Sequence, residues 1–143
     1  AVLAMEATGR YHLRLAELEL VGGAPPSSLR SGLEESFALS CSLADPCWEG
    51  ATARAIALVC AADGDNPAAL EWIERSRQRC LRETDVFEGL HAAILATQAE
   101  LTLASGDEVG AQAAARSLIA LSARAQMDGY LERGLALLNV QRR

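Results

Sequence analysis

Four cysteines and two histidines are the side chains of this 143-residue sequence best suited to nucleophilic or metal chemistry, so their spacing is the first question. Cys41, Cys47, Cys60 and Cys80 form no C-x-x-C pair, and His12 and His91 stand far from them along the chain, which leaves no zinc pattern. The segment Asp45-Pro46-Cys47-Trp48-Glu49-Gly50 does set a thiol beside a carboxylate. A nucleophilic cysteine, however, needs a base that holds it as thiolate, and no motif brings either histidine near Cys47. The segment therefore reads as a helix cap and first turn, with Trp48, like Trp72, filling a gap between neighbouring helix pairs. Cys60 and Cys80 would lie on successive helices, roughly 15 Å apart at the helical rise, well past the ~7 Å reach of a disulfide. Cys41 and Cys47 flank a turn. All four read as buried small hydrophobes, and His91 as a packed or half-exposed histidine.

The cationic residues carry a second message. All 13 are arginine and none is lysine, which removes Schiff-base chemistry, the P-loop lysine and the kinase strand lysine at once. No H-E-x-x-H, G-x-S-x-G or G-x-x-x-x-G-K-[ST] pattern occurs. Catalysis, a cofactor and a metal are thus not expected; an all-helical enzyme would need His91 or a thiol buried beside carboxylates in a cleft. Arg75, Arg79 and Arg82 fall on one helical stripe that could hold a phosphate or an acidic partner. Glu71 and Glu83 each lie four residues from one of these arginines, so a solvated face laced with ion pairs comes first and a binding surface second. A net charge of -6 argues against nucleic-acid binding by this chain, because a polyanion is held by clustered positive charge. A protein or peptide, or a small effector, is the expected partner.

These groups must be positioned by helices. Half of the residues are hydrophobic, 28 are alanine, and only 4 are proline, a balance that suits helices packed closely through small side chains. Breaks fall at Gly22 to Pro26, Asp45-Pro46, Asp63 to Pro67, Thr84-Asp85, Gly106-Asp107 and Asp128-Gly129, and they divide the chain into seven helices. Asp45 and Asn66, each before a proline, read as N-caps, and Asp85 with Glu88 approximates a capping box. Apolar positions recur at three and four, the helical period, and no strand is expected. No apolar run reaches the roughly 18 residues of a membrane helix, and no signal peptide is recognisable, so a cytoplasmic protein is expected.

The breaks alternate in phase. Gly23, Gly64 and Gly106 are 41 and 42 residues apart, and Asp45, Asp85 and Asp128 are 40 and 43 apart, so a helix pair recurs at a period near 42. Ala16, Ala57 and Ala99 stand seven residues before the glycines; Ser28, Ala69 and Ala111 stand five after. A small residue at minus seven, Gly-Asp at the elbow and Ala at plus five resemble the tetratricopeptide pattern, in units about one turn per helix longer and without most consensus aromatics. Over Asp45 to Val140 the chain also resembles the C-terminal helical regions of large bacterial transcriptional regulators, the LuxR-type and related ATPases. The resemblance implies a right-handed tetratricopeptide-like α-solenoid, one domain of units 1–44, 45–84 and 85–127 with a partial fourth unit 128–143. It implies a non-catalytic interaction or effector-sensing scaffold, with a stand-alone adaptor or self-associating protein as the alternative. The chain starts at Ala1 and stops mid-repeat, so a fragment of a larger protein is expected. Carrying the tetratricopeptide phase over, Arg10, Arg14, Glu17, Arg54, Thr97 and Glu100 are the polar groups of the groove, among Leu13, Ala51, Ala55, Leu58, Ala93 and Ala96. The last helix would present Leu135, Leu138 and Val140 to another copy or to the next repeat.

Overall fold

The computed structural model describes residues 26–82 and 87–140, all helix and short turn with no strand among them. Six helices follow one another: α1 Pro26–Ser42, α2 Pro46–Ala62, α3 Asn66–Cys80, α4 Glu88–Ala104, α5 Glu108–Arg124 and α6 Asp128–Val140. The helix expected ahead of Gly22, and with it Arg10, Arg14 and Glu17, lies outside the described residues. No described helix is long and apolar enough to cross a membrane.

Four of the five connections are the same object. After α2, Gly64 turns to φ 82°, its N–H reaches Ala61 O at 3.0 Å, and the Asp65 N–H reaches Cys60 O at 2.9 Å. After α4, Gly106 at φ 87° bonds to Leu103 O at 3.0 Å and Asp107 N bonds to Thr102 O at 3.1 Å. This is the Schellman arrangement, which satisfies carbonyls that the helix end would leave bare and reverses the chain within three residues. The turns after α1 and α5 repeat it without glycine, through Ala44 at φ 52° and Gln126 at φ 56°. Asp45 N there reaches Ser40 O at 3.2 Å and Met127 N reaches Ser122 O at 2.9 Å.

The residue that closes each turn also opens the next helix. Asp45, Asp65 and Asp107 accept from Trp48 N, Ala68 N and Gly110 N at 3.0, 3.1 and 2.9 Å. Asp65, not Asn66, is therefore the cap of α3; Asn66 and Pro67 already belong to its first turn. The last break likewise falls earlier than Asp128-Gly129, because the left-handed residue is Gln126 and both expected breakers sit inside α6. Asp85, and with it the expected box, lies outside the described residues; α4 starts at Glu88 behind Phe87, which offers no side-chain cap.

Packing follows the predicted small positions. Ala57, Ala99 and Ala69 are 0% exposed and Ala111 is 2% exposed, so consecutive helices meet at the places the spacing marks. Ser28, the expected counterpart in the first unit, is exposed. Where α2 crosses α3, Ser76 Oγ donates to Gly50 O at 2.6 Å, and a Cβ on Gly50 would lie 3.4 Å from Ser76 O. Each helix lies against its chain neighbours, and the backbones of α2 and α4 and of α4 and α6 also come close; those of α1, α3 and α5 stay apart from one another. Helix α4 thus touches α2, α3, α5 and α6, and everything from Ala92 to Thr97 is buried. Trp72 packs edge-on to Phe37 of α1, with centroids 5.2 Å apart, bridging the two hairpins as expected.

The left-handed turns yield a direct test. Replacing Ala44 by glycine relieves a strained backbone and should stabilise the protein by about 0.5–1 kcal/mol. Gly64→Ala should cost roughly 1 kcal/mol, although a Cβ there meets nothing within 4 Å, so the loss is conformational. Shifts of opposite sign in the urea midpoint, at unchanged slope, are the expected result.

Candidate functional site

Of the groove residues named from the sequence, the described ones lie on α2 and α4. Arg54 reaches from α2 across to α4, where its Nε donates to Ala93 O at 3.2 Å and to Thr97 Oγ1 at 2.9 Å. Thr97 is 1% exposed, and Ala55, Ala93 and Ala96 are also buried, so that part of the expected groove is packed contact and not open surface. Small side chains let α2 and α4 close together, and the arginine stem then lies over the seam. Glu100 remains half-exposed and is bridged to Arg133 of α6 at 2.6 Å. Arg54–Thr97 and Glu100–Arg133 thus tie α2 to α4 and α4 to α6.

The arginine stripe has an unexpected anchor. Glu49, in the first turn of α2, is 1% exposed; its Oε2 takes Arg79 Nη1 at 2.6 Å and its Oε1 takes Arg82 Nη2 at 2.8 Å. Arg79 also lies 5.7 Å from the Phe37 ring and 3.9 Å from Cys41 Sγ. Arg75 pairs with Glu71 at 2.9 Å, as its spacing suggests, and its guanidinium stacks 4.3 Å from the Trp72 ring centre. Glu83 lies outside the described residues. The stripe is a clamp between α2 and α3, and a buried carboxylate is its centre. Nothing in the spacing of Glu49 distinguishes it from an ordinary first-turn acid, which is why sequence reasoning missed it.

Three of the thiols, Cys41, Cys60 and Cys80, are shifted away from thiolate. All four cysteines are free. Burial, with Cys47 nearby, pushes the Cys80 thiol up to about 11, and burial likewise raises Cys41 and Cys60. A thiol shifted upward is a poor nucleophile at neutral pH. Among the described residues no three His, Cys, Asp or Glu side chains gather as metal ligands would.

A concavity lies elsewhere among the described residues. A groove of about 630 Å³ runs between α3 and α5 over α4, lined by Glu74 and Arg77, by His91, Leu95 and Gln98, and along α5 from Gly110 to Arg124. On α4 the residues 91, 95 and 98 face roughly 180° away from 93, 97 and 100 at 100° per residue, so this groove and the expected one occupy opposite sides of the same helix. Glu74 accepts from Arg77 Nε at 2.9 Å, Arg77 Nη2 at 2.7 Å and Gln78 Nε2 at 3.0 Å. The Arg77 hydrogen bond holds the Glu74 carboxyl below its usual range. Arg124, at the other wall, lies 3.6 Å from Glu88. Burial lowers the His91 imidazole, Arg77 and Arg124 lower it further, and Glu88 opposes them. His91 makes no hydrogen bond to either carboxylate, so no acid–base dyad forms. Sequence analysis had His91 alone. The i, i+4, i+7 run of His91, Leu95 and Gln98 and the Glu74/Arg77 pair were visible in the spacing, but their convergence depends on how α3 and α5 flank α4.

No protein-family model matches the chain, and no curated protein sequence matches it.

Two outcomes follow. Arg79→Met with Arg82→Met strands the Glu49 carboxylate in the core and should cost roughly 3–5 kcal/mol. Glu49→Gln leaves two arginines that are 35% and 44% exposed and can rehydrate, so denaturation should show the smaller loss for this single change. For His91 the folded-state value lies below the unfolded one, so its contribution is complete above the unfolded value, near 6.5, and is lost as pH falls below it. Stability of the natural protein should fall more than that of His91→Gln between about pH 7 and pH 5.

Proposed function

We infer that the chain is a tetratricopeptide-like α-solenoid acting as a non-catalytic binding scaffold, the helical sensor region of a multidomain bacterial transcriptional regulator. One observation supports the reading. The turn at 43–45 recurs at 63–65, 105–107 and 125–127, while α2, α4 and α6 meet in succession. Helix pairs related in this way lean only on their neighbours, and stacking further pairs extends a surface for a protein, a peptide or a small effector. A cytoplasmic location goes with this role.

A second reading, a self-associating adaptor, is favoured by α6. Leu135 is 47% and Val140 62% exposed on this helix, whereas Leu138, expected beside them, packs with Leu137 against Ala99, Ala114 and Ala115. Contact with another copy would cover Leu135 and Val140.

Removing residues 128–143 separates a stacked array from a closed bundle. The array predicts loss of the 13 residues of α6 from the helical signal with the remaining helices still folded, and a bundle predicts collapse of the whole. Reading the gene on both sides of the chain tests the role. Nucleotide-binding and helix-turn-helix modules are expected; repeats alone would favour the adaptor.

A further inference from the structure

We propose that the groove between α3 and α5 binds a small carboxylic acid, its carboxylate between Arg77 and Arg124 and its apolar body on Leu95 and Leu121. The cavity, about 630 Å³, lies within the ~300–1,000 Å³ of ordinary small-molecule sites. Arg77 spends Nε and one Nη2 hydrogen on Glu74 and is held in place by that pair. Its end-on edge, Nη1 with the other Nη2 hydrogen, keeps the planar fork that a carboxylate accepts in two parallel bonds. Leu95, Ala114 and Leu121 are buried on the α4 and α5 walls, a floor that rewards an apolar body and offers nothing to a bare inorganic anion.

The charges of the groove are balanced before a ligand arrives. In a chain of net charge -6, the groove sets one carboxylate, Glu74, against two guanidiniums. Glu88, 3.6 Å from Arg124 at the rim, evens that count while His91 is neutral. An arriving carboxylate adds a negative charge that a protonated His91 offsets, and the ionisable groups facing that ring are Arg77 and Glu74 from α3, Glu88 from α4 and Arg124 from α5. Binding therefore favours the protonated ring. This site stands independently of the scaffold role and of any contact made on the opposite face of α4.

Hexanoate is the probe, with hexan-1-ol and inorganic phosphate beside it, titrated into the full chain while the ring proton signal of His91, assigned with His91→Gln, is followed by NMR. Hexanoate should shift that signal saturably, raise the His91 titration midpoint and bind several-fold more tightly at about pH 6 than at about pH 8. Arg124 is 71% exposed, so Arg124→Gln keeps the fold and should weaken hexanoate about tenfold. Ser117→Trp, placed on an exposed position of the α5 wall, should fill the groove and abolish the shift with helicity unchanged. The proposal fails if hexanol binds as tightly as hexanoate, if phosphate does, if neither folded variant weakens hexanoate, or if His91 does not respond.

Discussion

Four of the five connections in this protein depend on one residue held in the left-handed region at a helix end. That residue lets the amides of the turn double back onto the carbonyls of the last turn, and after Ala44, Gly64 and Gly106 it leaves the following aspartate where its side chain can cap the next helix. With only three residues between helices, the departing helix has little freedom of direction. Helix–helix separation is then set by what stands opposite, and the residues opposite are alanines exposed to 2% or less at 57, 69, 99 and 111. Turn chemistry fixes orientation and side-chain size fixes distance; the succession of hairpins needs nothing more elaborate.

Close packing through alanine has a cost in apolar area, since each alanine removes far less surface from water than a leucine does. The large side chains that compensate are few and central: Leu33, Ile56, Ile73, Ile94 and Leu118 are almost completely buried, one to each of the first five helices. Between them the helices are joined by polar ties of long sequence range, Arg54 to Thr97, Glu49 to Arg79 and Arg82, and Glu100 to Arg133. Only the Glu49 cluster places a charge in the interior, and it is the tie whose loss leaves an uncompensated group behind. The Glu100–Arg133 pair is about 40% exposed, where water can replace a lost partner, so it specifies register more than it holds the fold.

Legibility tracks how local the cause is. Gly64-Asp65 and Gly106-Asp107 could be read because glycine advertises a left-handed backbone and aspartate advertises a cap, both within two residues. The equivalent turns at Ala44 and Gln126 carry no such flag, since alanine and glutamine adopt that conformation only when the surrounding helices hold them there, and so the sequence marks the second break at Asp128-Gly129, past the left-handed Gln126. The buried alanines were legible from their spacing to the glycines. The groove ahead of them was less so: Thr97 falls on the right helix and the right face, yet Arg54 closes over it from another helix. Neither the burial of Glu49 nor the meeting of Arg77, His91 and Arg124 has a local signature, because each is made by three segments that approach only after folding.

The central helix shows why the two sides of the molecule differ. On one side of α4, Ala93 and Thr97 are small enough for α2 to come close, and the arginine that would have been a surface charge becomes a strap. On the other side, His91, Leu95 and Gln98 face α3 and α5, whose backbones stay apart. A gap bounded by two such helices is floored by the helix that carries both. The same connectivity that seals one face therefore opens the other, and the ionisable side chains collected there, Glu74, Arg77, His91 and Arg124, sit in a concavity that the chain's own packing leaves unfilled. Polar groups of this kind in a space left by packing are what give a helical array chemical selectivity, because the apolar floor is nearly the same for any ligand and only the charged walls discriminate.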